Sequence, residues 1–236
     1  MFCIKIAGIP IGIDNRAGYV KRLCRGYEVE GETPDFTVSV TEEEVNQTMG
    51  CLERFSYGYV ESLCLYRKIC LRLAKYQTFI MHAAIVAVDG KAYAFTAPSG
   101  TGKTTHIRLW LELLGDRAKV LNGDKPLFRF IDGVLYACGT PWQGKEHMGE
   151  NIMCPVQGIC FLEQNPENHI RSLSMQEVIQ RIFHQLLIPT EEKEFDLYWA
   201  LLEKLLDTTP FYLLQCNRDL EAARLSYETM RRKEVC

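Results

Sequence analysis

The chain has 236 residues, enough for one or two domains with a buried core. Its 27 basic and 30 acidic residues give a net charge of −3, so the basic excess typical of nucleic-acid-binding domains is missing. No apolar run reaches the ~18 residues of a transmembrane helix. Residues 1–15 have no A-x-A-like cleavage site, so we expect a strand there and not a signal peptide. We therefore expect a cytoplasmic protein with no nucleic-acid or membrane partner.

The ten cysteines predict neither a metal site nor a disulfide framework. No two of them are three residues apart, so the C-x-x-C motif of zinc and redox sites is absent. Several lie within apolar stretches, where a thiol behaves as a small hydrophobic side chain. A cytoplasmic location would keep them reduced.

Residues 1–77 are predicted to form a small α+β module. Residues 2–7 and 36–40 have the pattern of strands, and the glycines and proline of residues 8–14 indicate a break between elements. Thr41 followed by Glu44 is a capping box that opens a short helix. Apolar residues then recur at helical spacing over residues 57–76.

Residues 78–236 mix strands with helices and predict an α/β domain. Asp89-Gly90 and Asp132-Gly133 are hairpin-turn signals. Trp110 and Trp199 lie on apolar helical stripes, which predicts that both are core residues. Strands are expected over residues 78–88, 92–97, 119–121, 127–131, 134–138, 159–162 and 211–214, and helices over 103–114, 174–187, 191–206 and 219–232.

The strongest functional signal is the glycine-rich loop, residues 97–105, with the sequence APSGTGKTT. It fits the phosphate-binding pattern G-x-x-x-x-G-K-[ST], with Ala97 in the place of the first glycine. Glycines permit positive φ, so that successive N–H groups can face an anion at the start of the following helix. The predicted nucleotide-binding residues are Pro98, Ser99, Gly100, Thr101, Gly102, Lys103, Thr104 and Thr105. Lys103 would reach the β- and γ-phosphates of ATP, and Thr104 would be a Mg²⁺ ligand.

Asp124 is the first candidate for catalysis outside this loop. It follows a short predicted strand and a glycine, and side chains at such strand ends open onto the site in α/β folds. It could be a Mg²⁺ ligand, or it could accept the proton of an attacking hydroxyl. A carboxylate that only caps a turn is the structural alternative.

Four motifs together resemble two related groups: the HPr kinase/phosphorylase catalytic domain and ATP-dependent phosphoenolpyruvate carboxykinase. The motifs are Met81-His82-Ala83-Ala84, Asp89-Gly90-Lys91, Pro98 to Thr105, and Leu121-Asn122-Gly123-Asp124. The resemblance covers about residues 78–162, and the whole chain also resembles HPr kinase-related bacterial proteins. It implies a P-loop fold, a mixed sheet with flanking helices, and the use of ATP and Mg²⁺.

By this resemblance, His82 lies beside the transferred phosphate. The loop of residues 139–151 resembles in position the loop that contacts the acceptor in HPr kinases. Lys145 in that loop could neutralise charge on the transferring phosphoryl group, and Trp142 could shield the site from water. Both groups carry two adjacent acids where this chain has Gly123-Asp124-Lys125, so one acid is missing and Lys125 adds a positive charge instead.

Three functions remain open from the sequence. The first is an ATP-dependent kinase that transfers the γ-phosphate to a hydroxyl, such as a serine, of a protein, peptide or small molecule. The second is carboxykinase chemistry, although the chain is far shorter than those enzymes. The third is a nucleotide-binding regulatory protein without turnover, which the missing acid favours. The resemblance to HPr kinases also implies a homo-oligomer.

Overall fold

We describe a computed structural model of the chain, which covers residues 1–52, 54–190 and 192–232. Its class is α/β, with a mixed sheet flanked by helices on both faces, as the sequence predicts. The strands are β1 (Phe2–Ile6), β2 (Ile9–Asp14), β3 (Phe36–Ser39), β4 (Thr78–Ile80), β5 (Ala84–Val88), β6 (Lys91–Thr96), β7 (Ala118–Asn122), β8 (Leu127–Ile131), β9 (Val134–Cys138), β10 (Met153–Gln164), β11 (His169–Ser172) and β12 (Phe211–Cys216). The helices are α1 (Gly18–Leu23), α2 (Glu42–Met49), α3 (Tyr57–Leu73), α4 (Lys103–Leu114), α5 (Met175–Ile182), α6 (Glu192–Thr208) and α7 (Leu220–Met230).

The N-terminal part contains a three-stranded sheet, in the order β1-β2-β3, covered by α1 and α3. The break expected over residues 8–14 is wrong, because β2 forms there as the second arm of a hairpin. Ala7 and Gly8 both have positive φ, which gives the two-residue turn that joins twisted strands. Thr41 and Glu44 form the expected capping box at the start of α2. The core of this part also includes Leu127, Cys138 and Trp142 from the rest of the chain, and the domain boundary at residue 77 stays a prediction.

The large sheet has the strand order β4-β8-β9-β10-β6-β5-β7, with β12 on β10 and β11 on β12. Helices α5 and α6 contribute Val178, Ile182 and Leu205 to the core on one face. Helices α4 and α7 contribute Trp110, Ala223 and Met230 to the core on the other face. The sheet is therefore the middle of three layers.

Strand directions bring several chain segments to one edge of this sheet. Strands β6, β10 and β12 are mutually parallel, and β5 is antiparallel to both β6 and β7. The carboxyl ends of β6, β7, β10 and β12 therefore meet at the same edge as the amino end of β5. Ligands of open α/β sheets bind at such an edge.

The single strand expected over residues 78–88 is wrong. It breaks at Met81–Ala83, where the backbone N–H of His82 donates to Gln185 over 2.7 Å and that of Ala83 donates to Asp124 over 3.2 Å. The helix expected over residues 174–187 ends at Ile182 and is followed by one 3₁₀ turn. Glu191, the expected first residue of the next helix, lies outside the described residues.

The two tryptophans predicted to be core residues have different outcomes. Trp110 is fully buried, whereas 42% of Trp199 is exposed. Trp199 stacks on Phe183 and Phe195 at the surface of α6. The apolar stripe of α6 thus predicts burial of Trp199 wrongly, because this side chain contacts other aromatic rings at the surface. In the described part of the chain, no helix is long and apolar enough to span a bilayer.

Candidate functional site

The glycine-rich loop follows β6 and leads directly into α4. Gly100 has φ +83° and Gly102 has φ +121°, conformations that L side chains rarely adopt. A Cβ on either glycine would meet no atom within 4 Å. The loop therefore leaves open space at the amino end of α4, where backbone N–H groups and the helix dipole favour an anion.

Lys103 is buried at the start of α4, and its ammonium group is held by the loop itself. Its Nζ donates to the carbonyl oxygen of Ala97 over 2.8 Å and to that of Pro98 over 3.4 Å. Burial lowers the pKa of Lys103, and the nearby carboxylate of Asp124 opposes that shift. The cation is thus positioned at the loop within the electrostatic range of Asp124.

Asp124 is held by a turn that the buried side chain of Asn122 builds. The side-chain oxygen Oδ1 of Asn122 accepts hydrogen bonds from the backbone N–H groups of Asp124 and Lys125 at 2.9 and 2.8 Å. The Asn122 amide nitrogen donates to both the backbone and the side-chain oxygen of Thr140. Asn122 is therefore a positioning residue that the sequence argument did not single out, although an Asn two residues before a candidate Asp is a known turn signal.

His82 and Lys125 both contact the Asp124 carboxylate. Nε2 of His82 lies 3.1 Å from Oδ1 of Asp124, and Nζ of Lys125 pairs with Oδ2. Burial raises the pKa of Asp124, but the hydrogen bond from His82 and the charge of Lys125 outweigh it and lower the pKa to about 2. Asp124 is therefore ionised at neutral pH, with the positive charge of Lys125 beside it.

The loop of residues 139–151 packs directly against this turn. A Cβ on Gly144, whose φ is +77°, would lie 2.9 Å from the Cβ of Asp124. This close approach brings Lys145 to the cleft, where it is exposed and has no hydrogen-bond or ion-pair partner among the described residues. Glu146 is tied to Arg108 of α4 by an ion pair of 2.5 Å.

Trp142 does not cover the site as the sequence argument expected. Its indole is buried, stacks on Tyr66 with ring centroids 4.0 Å apart, and donates to the carbonyl oxygen of Ser62 over 3.1 Å. It therefore anchors the loop to α3. The water shield expected of Trp142 is wrong, because its side chain points into the core below the loop.

These segments together line one cleft of 560 Å³, here called the phosphate cleft. Its walls include His82, Asp124, Lys125, Lys145, Glu146 and most of the glycine-rich loop, together with Tyr59 and Gln143. Every predicted site residue except Pro98 and Thr101 lines it, and those two line clefts that adjoin the loop. Tyr59 is a lining residue that no sequence motif indicated, whereas Gln143 and Glu146 belong to the loop of residues 139–151.

Few protein groups in the phosphate cleft could bind a magnesium ion directly. No group of three or more His, Cys, Asp or Glu side chains in the described residues could hold a metal by itself. Mg²⁺ commonly takes only one or two carboxylates and completes its shell with phosphate oxygens and water. Thr104 and Asp124, which both line the phosphate cleft, fit that mode, in which the metal arrives with a nucleotide.

A second cleft of 360 Å³ adjoins the phosphate cleft and shares Gly102 and Thr105 with it. Asn165 after β10 and Asn217 after β12 line it, together with Leu109 of α4. His106 lies at its base, almost fully buried, and burial lowers its pKa to about 3. The neutral ring bonds with Trp110 and Ser226, so it has a structural role.

Comparisons with known proteins identify no family for this chain. No protein-family model matches it, and no curated protein sequence matches it. Among solved structures, the chain is similar to the Hpr(Ser) kinase/phosphatase from Coxiella burnetii, with 10% identity and a TM-score of 0.36 over 65% of this chain and 99% of that one.

Proposed function

We propose that the protein is an ATP-dependent phosphotransferase that passes the γ-phosphate to a hydroxyl group. One observation carries the proposal: the glycine-rich loop, the ion-paired Asp124 and the unpaired Lys145 line the same cleft. A phosphate-binding loop alone is consistent with simple nucleotide binding. A carboxylate and a free cation beside it are the additional groups that phosphoryl transfer requires.

The two adjoining clefts suggest how the nucleotide lies. Lys103, Thr104 and Asp124 would take the γ-phosphate end, with the Mg²⁺ ion neutralising charge on the phosphate oxygens. The rest of the nucleotide would leave the loop past Gly102 and Thr105. That path leads into the second cleft, whose Asn165 and Asn217 amides could hydrogen-bond a ribose or base.

The acceptor hydroxyl would approach Asp124 from the side of Lys145. Its oxygen forms a bond to the γ-phosphorus, while the bond from that phosphorus to the β–γ bridging oxygen breaks and ADP leaves. The hydroxyl proton passes to the hydrogen-bonded pair of Asp124 and His82. Lys103 and Lys145 stabilise the charge that develops on the phosphoryl oxygens.

A nucleotide-binding protein without turnover is the second candidate. One observation supports this candidate. Glu146 is the only carboxylate besides Asp124 that lines the cleft in the described residues, and it is already paired with Arg108 and so does not replace the missing second acid. Carboxykinase chemistry gains no such support, since no arginine among the described residues lines the phosphate cleft to bind a dicarboxylate.

Incubation with γ-labelled ATP, Mg²⁺ and pools of hydroxyl-bearing acceptors distinguishes the two candidates. A phosphotransferase moves label to one acceptor class, and Asp124→Asn removes that transfer. Tight ATP binding, with neither transfer nor slow hydrolysis by the wild-type protein, would instead identify the non-catalytic protein.

A further inference from the structure

A cavity at the junction of the N-terminal part and the loop of residues 139–151 lies outside the two clefts assigned above to the nucleotide. It measures 280 Å³, and Tyr19, Leu23, Phe55, Tyr59, Leu63 and Trp142 form its apolar wall. We call it the aromatic cavity. Phe55 stacks on Tyr59 with ring centroids 4.9 Å apart, and Tyr19 meets Tyr59 edge-on at 6.3 Å. These ring contacts define a shaped wall, which a loosely packed surface would lack.

The aromatic cavity is continuous with the phosphate cleft. Tyr59, Lys125, Gln143, Gly144 and Lys145 line both spaces. A molecule seated against the aromatic wall would therefore reach the side of Asp124 on which Lys145 lies. Since no residue of the glycine-rich loop lines the aromatic cavity, we assign this position to an acceptor and not to the nucleotide.

Charge around the aromatic cavity is of one sign. Lys125 and Lys145 line it, and Arg22 and Arg25 line a neighbouring space of 280 Å³ that shares Tyr19, Leu23, Gln143 and His147 with it. No acidic side chain among the described residues lines either space. This arrangement complements an anion, because cationic walls without counter-charges raise the local concentration of anionic ligands.

We propose that the aromatic cavity binds the phosphoryl acceptor, and that the acceptor is a small organic anion with an aromatic or bulky apolar body and a free hydroxyl. This inference rests on the proposed phosphotransferase function and names its substrate class. The apolar body would pack against Phe55 and Tyr59, and the anionic group would face Arg22 and Arg25. The hydroxyl would then extend past Lys145 toward Asp124.

The shape of the site favours a small molecule over a protein acceptor. Small-molecule sites are concave, mostly apolar and provided with a few polar groups, as this one is. A stable protein interface buries ~800 Å² on each partner. Five of the eight exposed large apolar side chains of the described residues lie instead on α5 and α6: Met175, Ile179, Phe195, Leu197 and Trp199.

Calorimetry with 3-phenyllactate, without nucleotide, tests the cavity directly. This probe tests the apolar and anionic positions only, because its hydroxyl is on the carbon next to the carboxylate; lactate lacks the ring, and 3-phenyllactamide lacks the charge. We expect 3-phenyllactate to bind at least tenfold more tightly than either. Arg22→Gln and Phe55→Ala should each weaken its binding at least fivefold, whereas Arg224→Gln and Phe195→Ala, on exposed residues of α7 and α6, should not change it.

Leu23→Trp, which fills the cavity and shortens no wall residue, is the second variant in case Phe55→Ala does not fold. ADP binding, measured on every variant, reports an intact phosphate cleft. Equal affinities for the three probes, or wild-type affinity in the Arg22 and Leu23 variants, would overturn the inference. Failure of the wild-type protein to bind ADP would reject the proposed function, yet the cavity would still show its selectivity for 3-phenyllactate.

Discussion

The imidazole of His82 and the carboxylate of Asp124 meet at 3.1 Å, although 41 residues separate them in the chain. The backbone supports the pair, because the N–H of Ala83 donates to the carbonyl oxygen of Asp124. The carboxylate orients the imidazole, and Lys125 holds its second oxygen. Both carboxylate oxygens are thus engaged once, and each keeps a second lone pair with which it can bind an incoming hydroxyl or metal ion.

Asp124→Asn should reduce phosphoryl transfer on the order of 10²-fold or more, the usual effect of removing a positioned acid–base group. The amide keeps the shape of the side chain but loses the charge that His82 and Lys125 contact. Steady-state transfer from labelled ATP measures the effect, and ADP affinity should stay within a few fold of wild type.

Asp132→Asn is the matched control for that substitution. Asp132 is exposed in the turn between β8 and β9, with φ +49°, a conformation that asparagine tolerates. This variant should transfer phosphate at the wild-type rate. If the Asp124 variant also turns over normally, Asp124 has no part in the reaction.

The pH dependence of stability should report the Asp124 ion pair. Because its pKa is about 2 in the folded protein and has the ordinary value of 3.8 in the unfolded chain, the carboxylate adds stability above pH 3.8 that is lost as the pH falls toward 2. Between pH 5 and pH 3 the loss is about 1 kcal/mol. Urea unfolding should show that the free energy of unfolding falls by this amount more in the wild type than in Asp124→Asn. The same pH dependence in the two proteins would contradict the prediction.

Lys103→Met should weaken ATP binding at least tenfold, because a charge-assisted contact with phosphate contributes about 1.5–3 kcal/mol. In the structure, Nζ of Lys103 donates to the carbonyl oxygens of Ala97 and Pro98, so its third N–H is available to a phosphate. Lys91→Met, on an exposed lysine at the start of β6, is the control. Calorimetric titration with Mg-ATP measures both, and equal affinities would argue against the loop as a phosphate site.

Much of the candidate site could be predicted because its signals are local in sequence. The glycine-rich loop needs positive φ at two positions, and the glycines at 100 and 102 indicate this conformation by their residue type alone. Asp124 depends on its place after a strand. Tyr59 and Gln143 could not be found in this way, since they reach the cleft only through the packing of α3 and of a loop anchored by Trp142.

The fold was predictable where turn chemistry is explicit and less so elsewhere. The hairpins at Asp89-Gly90 and Asp132-Gly133 formed as expected, with positive φ at all four residues. The hairpin at Ala7-Gly8 was missed because alanine seldom adopts φ +51°. The break at His82 was missed because its cause, hydrogen bonds to Gln185 and Asp124, is distant in sequence.

Lys145→Met should lower transfer about 10²-fold and leave the KM for ATP nearly unchanged, because its charge is expected to act on the transferring phosphoryl group. Arg108→Gln provides the comparison, since it only releases the ion pair that ties Glu146 to α4. Both partners of that pair are about half exposed, so its loss should cost less than about fivefold. If Arg108→Gln lowers the rate of transfer more than Lys145→Met does, the position of the loop, and not the charge of the lysine, limits the reaction.

Leu109→Trp tests whether the second cleft receives the nucleoside. Leu109 lines that cleft but not the phosphate cleft, so the larger ring should obstruct a base and leave the phosphate contacts intact. ATP affinity should fall at least tenfold, while affinity for inorganic tripolyphosphate stays at the wild-type value. Both ligands share the triphosphate, so equal losses would indicate distortion of the glycine-rich loop. Unchanged affinity for both would place the nucleoside outside this cleft. The remaining position would then be the 720 Å³ cleft that the glycine-rich loop and Arg181 line.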